Sequence, residues 1–250
     1  MKTAILITAR LKSTRLKEKA LKPIMGRPML SHMIERLRLA DRPEQIIICT
    51  STVAQDDRLC ELAEEEGVKH FRGDPDDVLQ RMLDAADNFQ VDTIVNCTAD
   101  NPFVDPMYID KLVDFHLSEG NDFSMSEGLP FGTFSYVLKR GAVEKACKIK
   151  DAVDTEVWGG YFTQTGLFKC GILPVTDRSV SWPELRLTVD TPEDFSLISK
   201  IFEHLYRSGD VFQLEQIVEL LRKYPLLLDI NKEIIQKTAS PIKVKILGHF

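Results

Sequence analysis

The sequence predicts an α/β fold whose central sheet is mostly parallel and carries helices on both faces. Three observations support that prediction. Short apolar runs alternate with segments of helical period through the first hundred residues. The runs are apolar at consecutive rather than alternate positions, which suits strands buried on both faces. Charged loops begin where the runs end, and the carboxyl ends of the strands are where open α/β sheets bind ligands.

The first strand is read at residues 3–8. Gly26-Arg27-Pro28 then punctuates the chain, and Met29, Met33, Ile34 and Leu37 fall at helical spacing, with Pro28 suited to a first helical turn. Residues 46–50 give a second strand, and residues 56–66 a helix stopped by Gly67. Residues 68–71 form a short third strand. Residues 76–86 form a helix with Val78, Leu79, Met82 and Leu83 on its apolar face, and residues 93–98 form the fourth strand.

From about residue 120 the rhythm changes. Strands are read at 134–138, 166–173 and 185–189, and helices at 141–148, 192–206 and 211–223. Residues 226–230 are apolar, Ile234 and Ile235 lie in a short helix-like piece, and 242–247 is expected to be an edge strand at a dimer contact. There is no internal repeat and no low-complexity linker.

The 250 residues, 44% hydrophobic and 28% charged, suit a single domain with one large core. A net charge of −6 argues against nucleic-acid binding, which needs a basic field across a face; a local basic loop in an acidic chain fits a small anionic ligand. No run approaches the roughly 18 apolar residues that span a bilayer, and the first run is short and leads into charges, unlike a signal peptide. The expected setting is cytoplasmic, with no membrane contact. Cys49, Cys60, Cys97, Cys147 and Cys170 are odd in number and scattered, which fits neither a disulfide framework nor a zinc site.

The chemistry is concentrated at strand ends. After the first strand, Arg10, Arg15 and Lys19 can contact phosphate oxygens, while Ser13, Thr14 and backbone N–H groups supply neutral donors. Asp100, in Thr98-Ala99-Asp100-Asn101-Pro102, follows the fourth strand and can hold Mg²⁺ beside bound phosphates. Asp190, in Val189-Asp190-Thr191-Pro192-Glu193-Asp194, is read at the end of another strand, so two carboxylates can meet at one cation. Asp194 reads as a helix N-terminal charge. In Phe71-Arg72-Gly73-Asp74-Pro75-Asp76-Asp77, one acid caps the next helix, while Arg72, Gly73 and Arg81 are candidates for a base or for phosphates.

Ile7-Thr8-Ala9-Arg10 with Ser13-Thr14-Arg15-Leu16 and Lys19 resembles the signature of the cytidylyltransferases that activate 3-deoxy-manno-octulosonic acid and the acylneuraminates. Asp100 with Pro102, and the run from Val189 to Asp194, match that family's two metal segments. Arg72-Gly73 with Asp76-Asp77-Val78-Leu79 looks like the branch of spore coat polysaccharide biosynthesis protein F.

The resemblance covers roughly residues 3 to 200. It implies a GT-A-like, Rossmann-like nucleotidyltransferase fold with a nucleotide-binding half over 1–120. An acceptor and homodimer half with C-terminal helices would occupy 121–250. It also implies a CTP-binding loop of Ala9, Arg10, Ser13, Thr14, Arg15 and Lys19, with Mg²⁺ held by Asp100 and Asp190. Lys19, Arg15 and Asp100 would carry the transfer of CMP to a sugar acid with release of pyrophosphate. The acceptor pocket is expected around Phe131, Glu156 and Tyr161. The octulosonate enzymes usually carry Gln-Gly-Asp-Glu-Pro where this chain has Thr98-Ala99-Asp100-Asn101-Pro102, so their sugar-site chemistry does not transfer directly.

Three other readings compete with this one. A sugar-1-phosphate nucleotidyltransferase has a glycine-rich first loop, absent here, although guanylyl or other nucleotidyl transfer to a sugar phosphate or phosphonate stays an alternative. A GT-A glycosyltransferase normally carries Asp-x-Asp, whereas Asn101-Pro102 follows Asp100. A non-catalytic relative would have no use for the basic loop and both acids.

Overall fold

The computed structural model describes residues 1–236 and 242–245. Its strands are β1 (Thr3–Thr8), β2 (Pro23–Ile24), β3 (Arg27–Pro28), β4 (Gln45–Ser51), β5 (Lys69–Gly73), β6 (Thr93–Thr98), β7 (Phe123–Glu127), β8 (Tyr136–Lys139) and β9 (Cys170–Pro174). The helices are α1 (Met29–Leu37), α2 (Asp57–Glu65), α3 (Val78–Phe89), α4 (Pro106–Glu119), α5 (Arg140–Ile149), α6 (Gly160–Thr163), α7 (Pro192–Leu205) and α8 (Leu214–Lys223).

Seven strands form one sheet in the order β5-β4-β1-β6-β8-β7-β9, and β2 and β3 form a small ribbon. All pairings in the large sheet are parallel except those of β8 with β6 and β7. The fold is therefore the mostly parallel α/β architecture expected. Alternation within β1 explains why its inner residues, Ala4 to Ile7, are all apolar. Ile5 and Ile7 pack with α1, α2 and α4 residues such as Leu30, Leu59 and Ile109. Ala4 and Leu6 pack on the other face with Leu79 and Met82 of α3 and Val143 of α5. A third cluster, including Phe103, Leu187, Ile198, Phe202 and Val218, gathers α7 and α8.

The order of strands creates the place for a site. From β1 the chain moves outward to β4 and β5, then returns to the opposite side of β1 for β6, so the topology reverses between β1 and β6. Thr8 pairs with both Cys49 and Thr98, so β1 and β6 end level and their loops start side by side.

Differences from the sequence reading cluster after residue 100. The helix α4 and strand β7 were not read. Helix α4 carries clear signals, with an Asp105 side chain capping Tyr108 N–H, Pro106 in the first turn and left-handed Gly120 at the end. Strand β7 is five residues with alternating serines, too short for its period to stand out. Residues 185–189 are extended but form no strand: Arg186 makes one isolated bridge to Phe131. The segment 226–230 belongs to a 3₁₀ helix, Pro225–Ile230, and Ile234 closes a turn on Asn231 rather than entering a helix. Of the expected edge strand 242–247, Val244 makes a single antiparallel bridge to Lys150, and 246–247 lie outside the described residues. No described helix is long and apolar enough to cross a membrane.

Candidate active site

A cleft of about 400 Å³ opens at the carboxyl ends of β1 and β6. The basic loop after β1 forms one wall. Its backbone is tied down by Asp56, a buried carboxylate that accepts from Leu11 N–H at 2.8 Å and from the Ser51 hydroxyl. At the end of the loop, Glu18 takes a left-handed conformation with φ 51° and pairs with Arg58 at 2.7 Å. That turn opens the 3₁₀ segment Lys19–Leu21 and sends the Lys19 side chain back into the cleft.

Lys19 is the hub. Its Nζ donates to Asp100 Oδ2 at 3.1 Å, to Asp190 Oδ1 at 3.0 Å and to the Val189 carbonyl at 2.8 Å. Burial alone would lower the ammonium pKa, but the Asp100 and Asp190 carboxylates outweigh it and the pKa is raised. Asp190 is buried, which alone would raise its pKa; Lys19, Arg15 and Arg186 reverse that and hold it below the ordinary carboxylate value. Arg15 reaches Asp190 Oδ1 at 3.1 Å, and Arg186 reaches Oδ2 at 3.1 Å. By contrast, Asp100 Oδ1 is buried and finds no hydrogen-bond partner among the described residues.

Asp190 reaches this place without a strand. The segment before it is threaded between two backbones: Phe131 N–H bonds Leu185 O, Leu187 N–H bonds Phe131 O, and Val189 N–H bonds Asp100 O at 2.8 Å. Gly132 permits the approach. It has φ +97°, and a Cβ there would lie 2.5 Å from Thr188 N. Thr191 and Asp194 then form a capping box at the start of α7, the helix N-terminal role expected for Asp194.

The opposite wall comes from the loop before α3, from α3 itself and from residues 154–158. Arg10 donates to the Pro75 carbonyl and to Asp76 at 3.2 Å, with Glu156 at 3.7 Å. Arg81 is almost wholly buried and donates to Asp74 O at 2.7 Å. Asp77 caps α3 and is occupied by Thr155 Oγ1 at 2.9 Å and by Lys150. Thr155 N–H also bonds Asp76 O, so this node holds Asp154, Glu156 and Trp158 against the cleft.

The fold thus brings together Ala9, Arg10, Ser13, Thr14, Arg15, Lys19, Arg81, Asp100, Glu156 and Asp190. Four candidates lie elsewhere. Arg72 turns away to Ser51 O, Val53 O and Asp57, pinning the chain after β4. Gly73 gives room to the Arg81 stem, 2.9 Å from where its Cβ would be. Tyr161 is buried with Phe123, Trp158 and Phe162 in the core. Phe131 lies under the Arg186 guanidinium, 5.8 Å from its ring centre. Lys12, Asp76, Asp154 and Trp158 also line the cleft, and Arg186 is a partner the sequence reading missed. Its signal was present: it stands four residues before Asp190 and eight before Asp194.

The lining holds five cationic side chains, Arg10, Lys12, Arg15, Lys19 and Arg81, against five acids, Asp76, Asp100, Asp154, Glu156 and Asp190. A polyanion entering such a balanced cleft needs an added cation. Asp100 and Asp190, with the Val189 carbonyl, are hard oxygen donors gathered around the Lys19 ammonium, and a buried Asp100 oxygen has no partner among the described residues; with Lys19 drawn off to phosphate, that set fits a divalent cation such as Mg²⁺. Among the described residues no three His, Cys, Asp or Glu side chains gather into a metal cage.

The cytidylyltransferase family profile matches residues 4–220. An uncharacterised protein of Methanocaldococcus jannaschii is 33% identical over 97% of this chain and 100% of its own length. Spore coat polysaccharide biosynthesis protein SpsF of Bacillus subtilis is 28% identical, covering 88% of this chain and 94% of itself. The solved structure of a cytidylyltransferase from Leptospira borgpetersenii superposes with a TM-score of 0.84 at 28% identity, over 95% of this chain and all of that one.

Proposed function

The chain belongs to the cytidylyltransferase family and is a nucleotidyltransferase; from that premise we propose that it transfers CMP from CTP to a sugar acid, releasing pyrophosphate, for a surface polysaccharide or glycan. The observation that supports this most directly is the convergence of Asp100 and Asp190 on Lys19 beside a basic loop, where the sheet reverses. The sugar-acid acceptor rests on the motif resemblance, since this loop uses side-chain cations in place of glycine backbone.

The residues divide the work by position. Arg15 and Lys19 leave their carboxylates to bind phosphate oxygens, with Ser13, Thr14 and loop N–H groups as neutral donors. Lys19 then opposes the negative charge that grows on the α-phosphate and the leaving pyrophosphate as the acceptor oxygen attacks. Arg10 and Arg81 hold the opposite wall, where the base would sit, and Asp154, Glu156 and Trp158, beside them on that wall, would meet the acceptor. Mg²⁺ held by Asp100 and Asp190 would neutralise the triphosphate and lower the pKa of the acceptor hydroxyl. Alignment of the two substrates supplies much of the rate.

The test is incubation of the protein with Mg²⁺, each of CTP, GTP, UTP and ATP, and a panel of ulosonic acids. Pyrophosphate release with CTP and one of the acids is expected. Release of a nucleoside diphosphate from a sugar nucleotide, with no pyrophosphate from any triphosphate, would replace this reading by glycosyl transfer.

A further inference from the structure

Behind Asp190, on the side away from the cleft, lies a chain of buried polar groups that binding of substrate does not explain. Arg186 grips two acids at once. Its Nη2 lies 3.1 Å from Asp190 Oδ2, and its Nε and Nη2 make a two-point contact with Asp194 at 2.9 and 3.0 Å. Asp194, fully buried, also accepts from the backbone N–H groups of Asp190 and Thr191 at 3.0 and 3.1 Å. Its remaining donor comes from far along the chain: Asn231 Nδ2, at 2.9 Å from Oδ1. Asn231 is itself buried and follows directly on the 3₁₀ segment Pro225–Ile230, and Gln236 accepts from the free end of Arg186.

We infer that Arg186 is a positioning residue for the nucleotidyl transfer. With Asp194 and Asn231 behind it, it fixes the rotation of the Asp190 carboxylate so that one oxygen, Oδ1, always faces the cleft. The geometry separates the two oxygens of Asp190 by task. Oδ2 is held from behind by Arg186, while Oδ1 meets Arg15 and Lys19 in front. A carboxylate free to rotate would present either oxygen and lose cation affinity to that freedom; outer-layer partners of this kind typically matter by about 10- to 100-fold in metal binding. Asn231 and Gln236 lie beyond the family match at residues 4–220, so the end of the chain completes the active site rather than merely covering it.

The inference rests on the proposed function, and one experiment separates the two. Mn²⁺ binding to the full-length protein, with and without CTP, is followed by electron paramagnetic resonance for the parent, Arg186→Lys and Asn231→Ala. Lysine cannot span Asp190 and Asp194 together. Both variants are expected to bind Mn²⁺ in the CTP complex about 10-fold more weakly or worse, with CTP affinity in the absence of metal changed less than about 2-fold. Asn231→Ala deletes only the two Nδ2 contacts, to Asp194 and, at 3.4 Å, to the Arg186 carbonyl, and provides the measurement should Arg186→Lys not fold. Parent-like Mn²⁺ affinity in folded Asn231→Ala overturns the inference and leaves the transfer reaction standing. A parent protein that binds no Mn²⁺ with any nucleoside triphosphate overturns both.

Discussion

The two acids of the cleft arrive by different routes. Asp100 follows a regular inner strand, β6, and one of its oxygens is buried without a partner. Asp190 ends a segment that makes a single bridge, to Phe131 outside the named strands, and three cations saturate its carboxylate. The first route is built from local sequence and leaves its side chain open for a ligand. The second is built from distant contacts and pairs its carboxylate with Arg15 and Lys19 in front and Arg186 behind. Asp100 thus keeps one oxygen unpaired, whereas both oxygens of Asp190 are paired, Oδ1 with Arg15 and Lys19 and Oδ2 with Arg186.

The same substitution at the two positions tests this most strongly. Asp100→Asn and Asp190→Asn should each reduce pyrophosphate release by roughly 10³-fold, since each removes a charge at the reacting phosphates. Their stabilities should diverge. Asp190→Asn removes the charge that Arg15, Lys19 and Arg186 share, leaving Lys19 only Asp100 and Arg186 only Asp194, and should cost about 3 kcal/mol in urea unfolding. Asp100→Asn changes an acid whose inner oxygen has no partner and should stay within about 1 kcal/mol of the parent. Equal losses of stability would break the comparison.

Gly132→Ala probes the second route without touching either acid. The new Cβ meets the Thr188 backbone at a positive φ, so a loss of about 2 kcal/mol is expected, together with reduced turnover as Asp190 shifts. A variant that loses stability but keeps full turnover would show that the threading of 185–190 does not set the position of Asp190.

The smallest effect concerns pH and lies where α4 meets β7. Burial depresses the His116 pKa to about 4, and the ring bonds the Ser124 hydroxyl at 3.0 Å. The folded state holds the neutral ring while the unfolded state takes up a proton below about 6.5. Stability from this group is therefore present above pH 6.5 and declines as pH falls toward 4. His116→Gln should flatten that part of the unfolding profile. An unchanged slope would move the acid sensitivity to another group.

These effects also mark what was legible in advance. Strands β1, β4 and β6 and helices α1 to α3 could be read because burial on both faces and helical spacing are local patterns. Lys19 and Asp100 could be placed in the loops that follow β1 and β6, and Asp190 after its own apolar run, because the ends of apolar runs are visible in a linear chain. Residues 185–189 misled because an apolar stretch buried against Phe131 and Asp100 looks the same in sequence as one buried in a sheet. Arg72 misled because a cation next to a turn looks the same whether it faces the cleft or the chain behind it.

The sequence by itself determined the α/β class, the inner strands, the basic loop and the two acids, all set by composition and spacing over a few residues. Only the tertiary structure decided that Lys19 lies between Asp100 and Asp190, that Arg72 turns away, and that Asn231 stands behind Asp194. Those facts depend on backbones separated by tens to well over a hundred positions being brought within hydrogen-bonding distance, and closure over such lengths leaves no periodic trace along the chain.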